Sequence, residues 1–106
     1  MPVRALTPAD LKSALEKREP LRLIDVRTER EREVARIEPS RLLDRELAVE
    51  MEGWDRGERL VFFCHHGIRS AAAANQFEQQ GFTNLWNLSG GIDRWSREVD
   101  PSTPRY

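Results

Sequence analysis

One stretch constrains this chain more than any other: Leu60-Val61-Phe62-Phe63 runs straight into Cys64, and His65-His66-Gly67-Ile68-Arg69-Ser70 follows. An alanine-rich segment, Ala71 to Ala74, comes next. An apolar run, a short loop and a helix start predict a buried strand feeding a helix N-terminus, with Ser70 as the cap of that helix. Cys64 and Arg69 bracket the loop with four residues between them. A turn curling round one sulfur needs a residue at positive φ or a close backbone approach, which is the place of Gly67.

A thiol attacks only as the thiolate, and a free cysteine with a pKa near ~8.5 is largely protonated at neutral pH. The helix N-terminus, the loop amides and the Arg69 cation would each favour the charged form. The same amides form a cup for an anion, whether a thiolate, a persulfide or an oxyanion. A lone cysteine is also commonly an inert buried hydrophobe. Position favours the reactive reading, because Cys64 stands where the strand ends and not within the apolar run.

Cys64-His65-His66-Gly67-Ile68-Arg69-Ser70 resembles the active-site loop of the rhodanese family of sulfurtransferases. Leu23-Ile24-Asp25-Val26-Arg27 is similar to the family's early strand-plus-loop motif, and Leu88-Ser89-Gly90-Gly91-Ile92-Asp93-Arg94-Trp95 to its late glycine-glycine-isoleucine-x-x-tryptophan motif. The resemblance runs from Leu6 to Trp95. It implies a rhodanese-like three-layer α/β sandwich, with a mostly parallel five-stranded sheet covered by helices on both faces. It also implies that Asp25 braces the region beneath the active loop. One departure is Ala35-Arg36-Ile37-Glu38-Pro39-Ser40, where many members carry Gly-His-Ile-Pro-Gly-Ala. That difference bears on one rim of the pocket and not on the nucleophile.

At 106 residues the chain is expected to be a single domain over residues 1–106, ending in an extended tail from about Val99 to Tyr106. Charged residues make up 33% of it, yet the net charge of −1 gives no case for nucleic acid or an anionic membrane. No apolar stretch approaches the ~20 residues of a membrane span, and no signal peptide opens the chain. A single cysteine excludes an intramolecular disulfide and fits a reducing cytoplasm.

In order, Met1 to Leu6 is read as a short edge strand limited by Pro2. Thr7-Pro8-Ala9-Asp10 starts a helix that ends before Pro20, with Leu11, Ala14 and Leu15 on its buried face. Leu21 to Val26 is a strand whose carboxyl end carries Asp25 and Arg27. Ligands of open α/β sheets gather beyond such ends, so both could face the crevice of Cys64; the blander role for Arg27 is a surface salt bridge. The alternating charges of Thr28 to Glu33 read as a solvated helical turn. A strand at Leu42-Leu43, a helix from Glu46 to Met51 and a turn at Trp54 to Glu58 lead into the central strand. After the active loop a helix runs to about Gln80. Phe82 to Leu88 holds the last strand, Gly90-Gly91 turns the chain sharply past the loop, and Ile92 and Trp95 anchor a final short helix. Strands alternating with helices give a mostly parallel, doubly covered sheet.

The chemistry the resemblance implies is sulfur transfer by double displacement. Cys64 would take a sulfane sulfur from a small anionic donor such as thiosulfate, and a thiol, cyanide or a sulfur-carrier protein would remove it. Loop amides from His65 to Ser70 would hold the persulfide, and Arg69 would attract the donor. An alternative from another class is a persulfide relay that exchanges sulfur with partner proteins and turns over little on small molecules. A cysteine phosphatase is disfavoured, because its loop is one residue longer. Metal is not expected: adjacent histidines rarely point the same way, and the other ligands of a zinc site are missing. No cofactor is implied. One of His65 and His66 is expected at the pocket mouth, the other in solvent.

Overall fold

The central apolar run forms a strand in which every residue is buried, and this sets the layout of the molecule. The structure, a computed structural model, describes residues 3–106. Its elements are β1 (Arg4–Leu6), α1 (Pro8–Glu16), β2 (Arg22–Asp25), α2 (Glu29–Val34), β3 (Arg41–Leu42), α3 (Arg45–Met51), β4 (Leu60–Phe63), α4 (Ile68–Gln79), β5 (Leu85–Leu88) and α5 (Gly91–Glu98). The strands pair in the order β1-β5-β4-β2-β3, and all these pairings are parallel. The expected edge strand is present at Arg4–Leu6; Met1 and Pro2 lie outside the described residues.

An unbroken Leu-Val-Phe-Phe run is what a strand covered on both faces requires. Side chains alternate between faces, so β4 supplies two cores. Val61 and Phe63 pack with Leu11, Leu23, Leu88, Ile92 and Trp95, the face covered by α1 and α5. Leu60 and Phe62 pack with Ile24, Leu47, Met51, Ala74 and Phe77, the face covered by α3 and α4. The result is the expected three-layer α/β/α arrangement. Among the described residues, no helix is long and apolar enough to cross a membrane.

Local signals act as their chemistry dictates. Thr7 Oγ1 accepts from the Asp10 amide at 3.1 Å and Pro8 occupies the first turn of α1. Thr28 and Glu31 close a capping box at the start of α2, so the alternating charges do form a short helix with no buried residue. Strand and helix ends differ from expectation by one to three residues, as ends commonly do.

Two expectations need correction. The helix after the loop begins at Ile68, not at Ser70: Gly67, at φ 102°, turns the chain into α4, and Ser70 sits inside its first turn. The C-terminal segment is not an extended tail either. The Asp100 carboxylate accepts from the Ser102 amide and the Thr103 hydroxyl, bending the chain back. Thr103 is buried, and Ser96 Oγ donates to its carbonyl. Tyr106 thereby returns to the active loop.

Candidate active site

Three strands end at the edge of the sheet that carries Cys64. Cys64 follows β4 directly, Asp25 closes β2, and Gly90 and Gly91 follow β5 into α5. Parallel strands deliver these ends to the same edge of the sheet, where ligands of open α/β folds collect.

The loop wraps Cys64 Sγ with donors. The Gly67 amide lies 3.1 Å from the sulfur, the Ser70 amide 3.4 Å and the Ser70 hydroxyl 3.3 Å. Burial, with Cys64 only 1% exposed, pushes the thiol pKa up. The Ser70 hydroxyl and the amides of Ser70, Gly67 and His66 outweigh that push, and the net effect holds the thiol below its ordinary value. Such a cup stabilises an anionic sulfur, and its amides are already aimed before any ligand arrives.

The cup is held from two sides. Asn87, on β5, donates from Nδ2 to the Gly67 carbonyl at 3.0 Å, and its Oδ1 lies 2.5 Å from Ser70 Oγ, whose single proton is given either to Asn87 or to the sulfur. On the other side, the first amides of α5 take up loop carbonyls: Ile92 N–H to Cys64 O at 2.9 Å and Asp93 N–H to His65 O at 3.1 Å. That approach needs Gly91, where a Cβ would lie 2.3 Å from His65 O and 2.5 Å from Cys64 O. The Gly90-Gly91 turn past the loop is therefore a requirement of packing, as the sequence suggested.

A shallow pocket of about 260 Å³ opens over the sulfur, lined by Cys64, His65, His66, Ile68 and Arg69. His66 is exposed, whereas His65 is half-buried, stacks on the Tyr106 ring and meets the His66 ring at a tilt, with centroid distances of 4.0 Å each. Ile68 is 81% exposed at the rim. Arg69 is at the mouth, but its hydrogen bonds go to Glu31: Nη1 to Oε1 at 2.8 Å and Nη2 to Oε2 at 2.9 Å. This pairing holds Glu31 well below the usual carboxylate range and Arg69 above its own.

Asp25 and Arg27 do not line that pocket. Both side chains are fully buried, joined by two bonds of 2.8 Å, so Arg27 is neither a surface salt bridge nor a crevice-facing cation. Arg32 adds a bond of 2.9 Å to Asp25, and Arg27 also donates to Ala35 O at 2.7 Å and to the Tyr106 hydroxyl at 2.9 Å. Glu31, Arg32, Asn87 and Tyr106 are therefore site neighbours that the sequence reading did not single out. The capping-box spacing of Thr28 and Glu31 was visible; that Glu31 also reaches Arg69 was not.

A parallel three-layer sheet with a cysteine held in an amide cup at its carboxyl edge defines a class of cysteine-centred α/β domains. Residues 7–98 match the model of the rhodanese-like domain, and the chain belongs to that family. YtwF of Bacillus subtilis, named as a sulfurtransferase, is 33% identical over 103 residues that make up 95% of this chain and 98% of YtwF. The thiosulfate sulfurtransferase GlpE of Pseudomonas paraeruginosa is 35% identical, covering 76% of this chain and 73% of GlpE. The adenylyltransferase/sulfurtransferase MoeZ of Mycobacterium tuberculosis is 31% identical over 95% of this chain, which spans only 26% of MoeZ. Among solved structures, a rhodanese-related protein of Thermoplasma volcanium superposes with a TM-score of 0.75 at 30% identity, covering 91% of this chain and 93% of that one. A rhodanese-like domain protein of Staphylococcus aureus shares the fold with a TM-score of 0.78 at 24% identity, covering 98% and 99%.

Proposed function

We propose that the chain moves sulfane sulfur through a persulfide on Cys64. The observation that carries this reading is the sulfur's own surroundings: two amides aimed at Sγ within 3.4 Å, with the Ser70 hydroxyl in reach at 3.3 Å. In the first step the Cys64 thiolate forms a bond to the outer sulfur of thiosulfate. The bond between the donor's two sulfurs breaks, and sulfite leaves with its electron pair. In the second step a thiolate or cyanide attacks that sulfur, and the Cys64 thiolate is released. The amides from His65 to Ser70 hold the persulfide's terminal sulfur in the cup vacated by the thiolate charge.

Relatives named as sulfurtransferases, one of them for thiosulfate, support this reaction class. The relay reading draws on a different observation, the match to a quarter of MoeZ, which carries an adenylyltransferase as well as a sulfurtransferase name. On that reading a carrier protein gives or takes the sulfur. Either reading needs a reduced thiol, which suits the cytoplasm. Steady-state thiocyanate formation from thiosulfate and cyanide separates them. Multiple turnovers, absent in Cys64→Ser, support the enzyme; a single loading followed by slow release supports the relay; no loading by any sulfane donor overturns both.

A further inference from the structure

Arg69 brings a positive charge to the Cys64 pocket, and the structure shows what that charge is doing. Both guanidinium nitrogens at its tip bond the Glu31 carboxylate, at 2.8 and 2.9 Å. Exposed ion pairs of this kind are usually weak and mobile, the exceptions being bidentate pairs within a network. This one is such an exception. Glu31 Oε1 also accepts from the Thr28 amide at 3.2 Å, and Oε2 accepts from the Tyr106 hydroxyl at 2.7 Å. Tyr106 is itself fixed, stacked on His65 and bonded by Arg27. Burial and the Glu31 contact lift its pKa to about 12, so it remains a donor at neutral pH. The Glu31 side chain is only 18% exposed. The carboxylate is thus held from three elements and cannot swing away without breaking the capping box of α2.

The consequence is a pocket mouth whose cation is already neutralised. A dianion approaching Arg69 meets Glu31 at the same place, and the attraction and the repulsion largely cancel.

We propose that Glu31 is a specificity-determining residue: by clamping Arg69 it removes the anion-attracting charge from the mouth and turns Cys64 toward electrophiles of low charge. For sulfur donors this rests on the transfer reading above, and the favoured class is a thiol-borne persulfide rather than the thiosulfate dianion. With a persulfide R–S–SH, the Cys64 thiolate bonds the outer sulfur and the donor's S–S bond breaks. R–S⁻ leaves with the electron pair, and the proton stays on the transferred sulfur. Atoms and charge balance without any further reactant.

The test reads charge at Sγ without requiring sulfur transfer. Alkylation rates with iodoacetate and iodoacetamide are measured at low ionic strength, where screening is weak. Their ratio is compared in wild type, Glu31→Gln, Arg69→Ala and the double variant. Because each ratio is taken within one protein, an unreactive fraction cancels, and the variants are compared only where circular dichroism shows them folded. Glu31→Gln should raise the iodoacetate-to-iodoacetamide ratio about threefold or more, and Arg69→Ala should lower it by a similar factor. The double variant, with both charges gone, should return to within about twofold of wild type. An unchanged ratio in Glu31→Gln, or a shift in the same direction in both single variants, overturns the proposal. The same Glu31→Gln protein should load sulfur from thiosulfate faster relative to a low-molecular-weight hydropersulfide. If no donor loads any variant while the alkylation ratios behave as stated, the transfer reading fails and the charge assignment to Glu31 survives.

Discussion

Ser70 Oγ lies 2.5 Å from Asn87 Oδ1, and that contact keeps the hydroxyl beside Cys64 Sγ, 3.3 Å away. The Asn87 amide cannot turn over freely, because its Nδ2 is committed to the Gly67 carbonyl. One strand residue thus positions both the hydroxyl donor and the turn that supplies an amide donor. Asn87 acts on the sulfur only through the groups it positions.

Removing the hydroxyl should make the thiol harder to ionise. Ser70→Ala deletes a donor that favours the thiolate, leaving burial less opposed, so the pKa moves up. A hydrogen bond to a charged group is stronger than one to a neutral group, so losing this donor costs the thiolate more than the thiol. The pH dependence of iodoacetamide alkylation reads the shift directly. A midpoint that stays put would mean that the amides alone set the pKa.

Gly91→Ala should be among the most damaging substitutions in the chain. Its φ is +64°, and the added methyl would run into two loop carbonyls, backbone atoms that cannot rotate aside. Strain and forced backbone movement together should cost about 2–5 kcal/mol. Gly53→Ala is the control: its nearest neighbour is an ordinary contact at 3.7 Å. Urea denaturation should separate the two clearly. Equal midpoints would contradict the close packing of α5 on the loop.

Arg27→Met should destabilise strongly even though Arg27 lies outside the pocket. The substitution leaves the buried Asp25 carboxylate with Arg32 as its remaining charged partner, and breaking a buried pair typically costs about 3–5 kcal/mol. Arg36→Ala, which removes an exposed pair with Glu38, should barely move the denaturation midpoint. Similar small effects at both positions would show that Asp25 is not held as a buried charge.

The parallel, doubly covered sheet and most of its strands and helices were legible because they rest on local pattern. A four-residue apolar run, the capping residue Thr7, and the two glycines before Ile92 each carry their signal within a few positions. The place of Cys64 in the candidate site was legible for the same reason: it stands at the junction of run and turn. Long-range pairings were not. Glu31 meets Arg69 from 38 residues away, Asn87 meets Ser70 across the sheet, and Tyr106 reaches back to Arg27 over 79 residues. Local periodicity contains no trace of such partners. Ser70 was misread as a cap because a serine before an alanine run is the usual signature; Gly67 does that turning, which frees the Ser70 hydroxyl for the sulfur. Arg27 was placed either in the crevice or in a surface salt bridge, because nothing nearby in sequence announces that Tyr106 and Ala35 enclose it.

The most direct test of the account is intact mass. Reduced protein is mixed with thiosulfate, and in parallel with a low-molecular-weight hydropersulfide; cyanide is then added. The account predicts a gain of one sulfur atom per chain, lost on cyanide treatment and absent in Cys64→Ser protein that remains folded. Sulfur retained by Cys64→Ser, or no gain from either donor on folded wild-type protein, would contradict the assignment of Cys64 as the sulfur carrier.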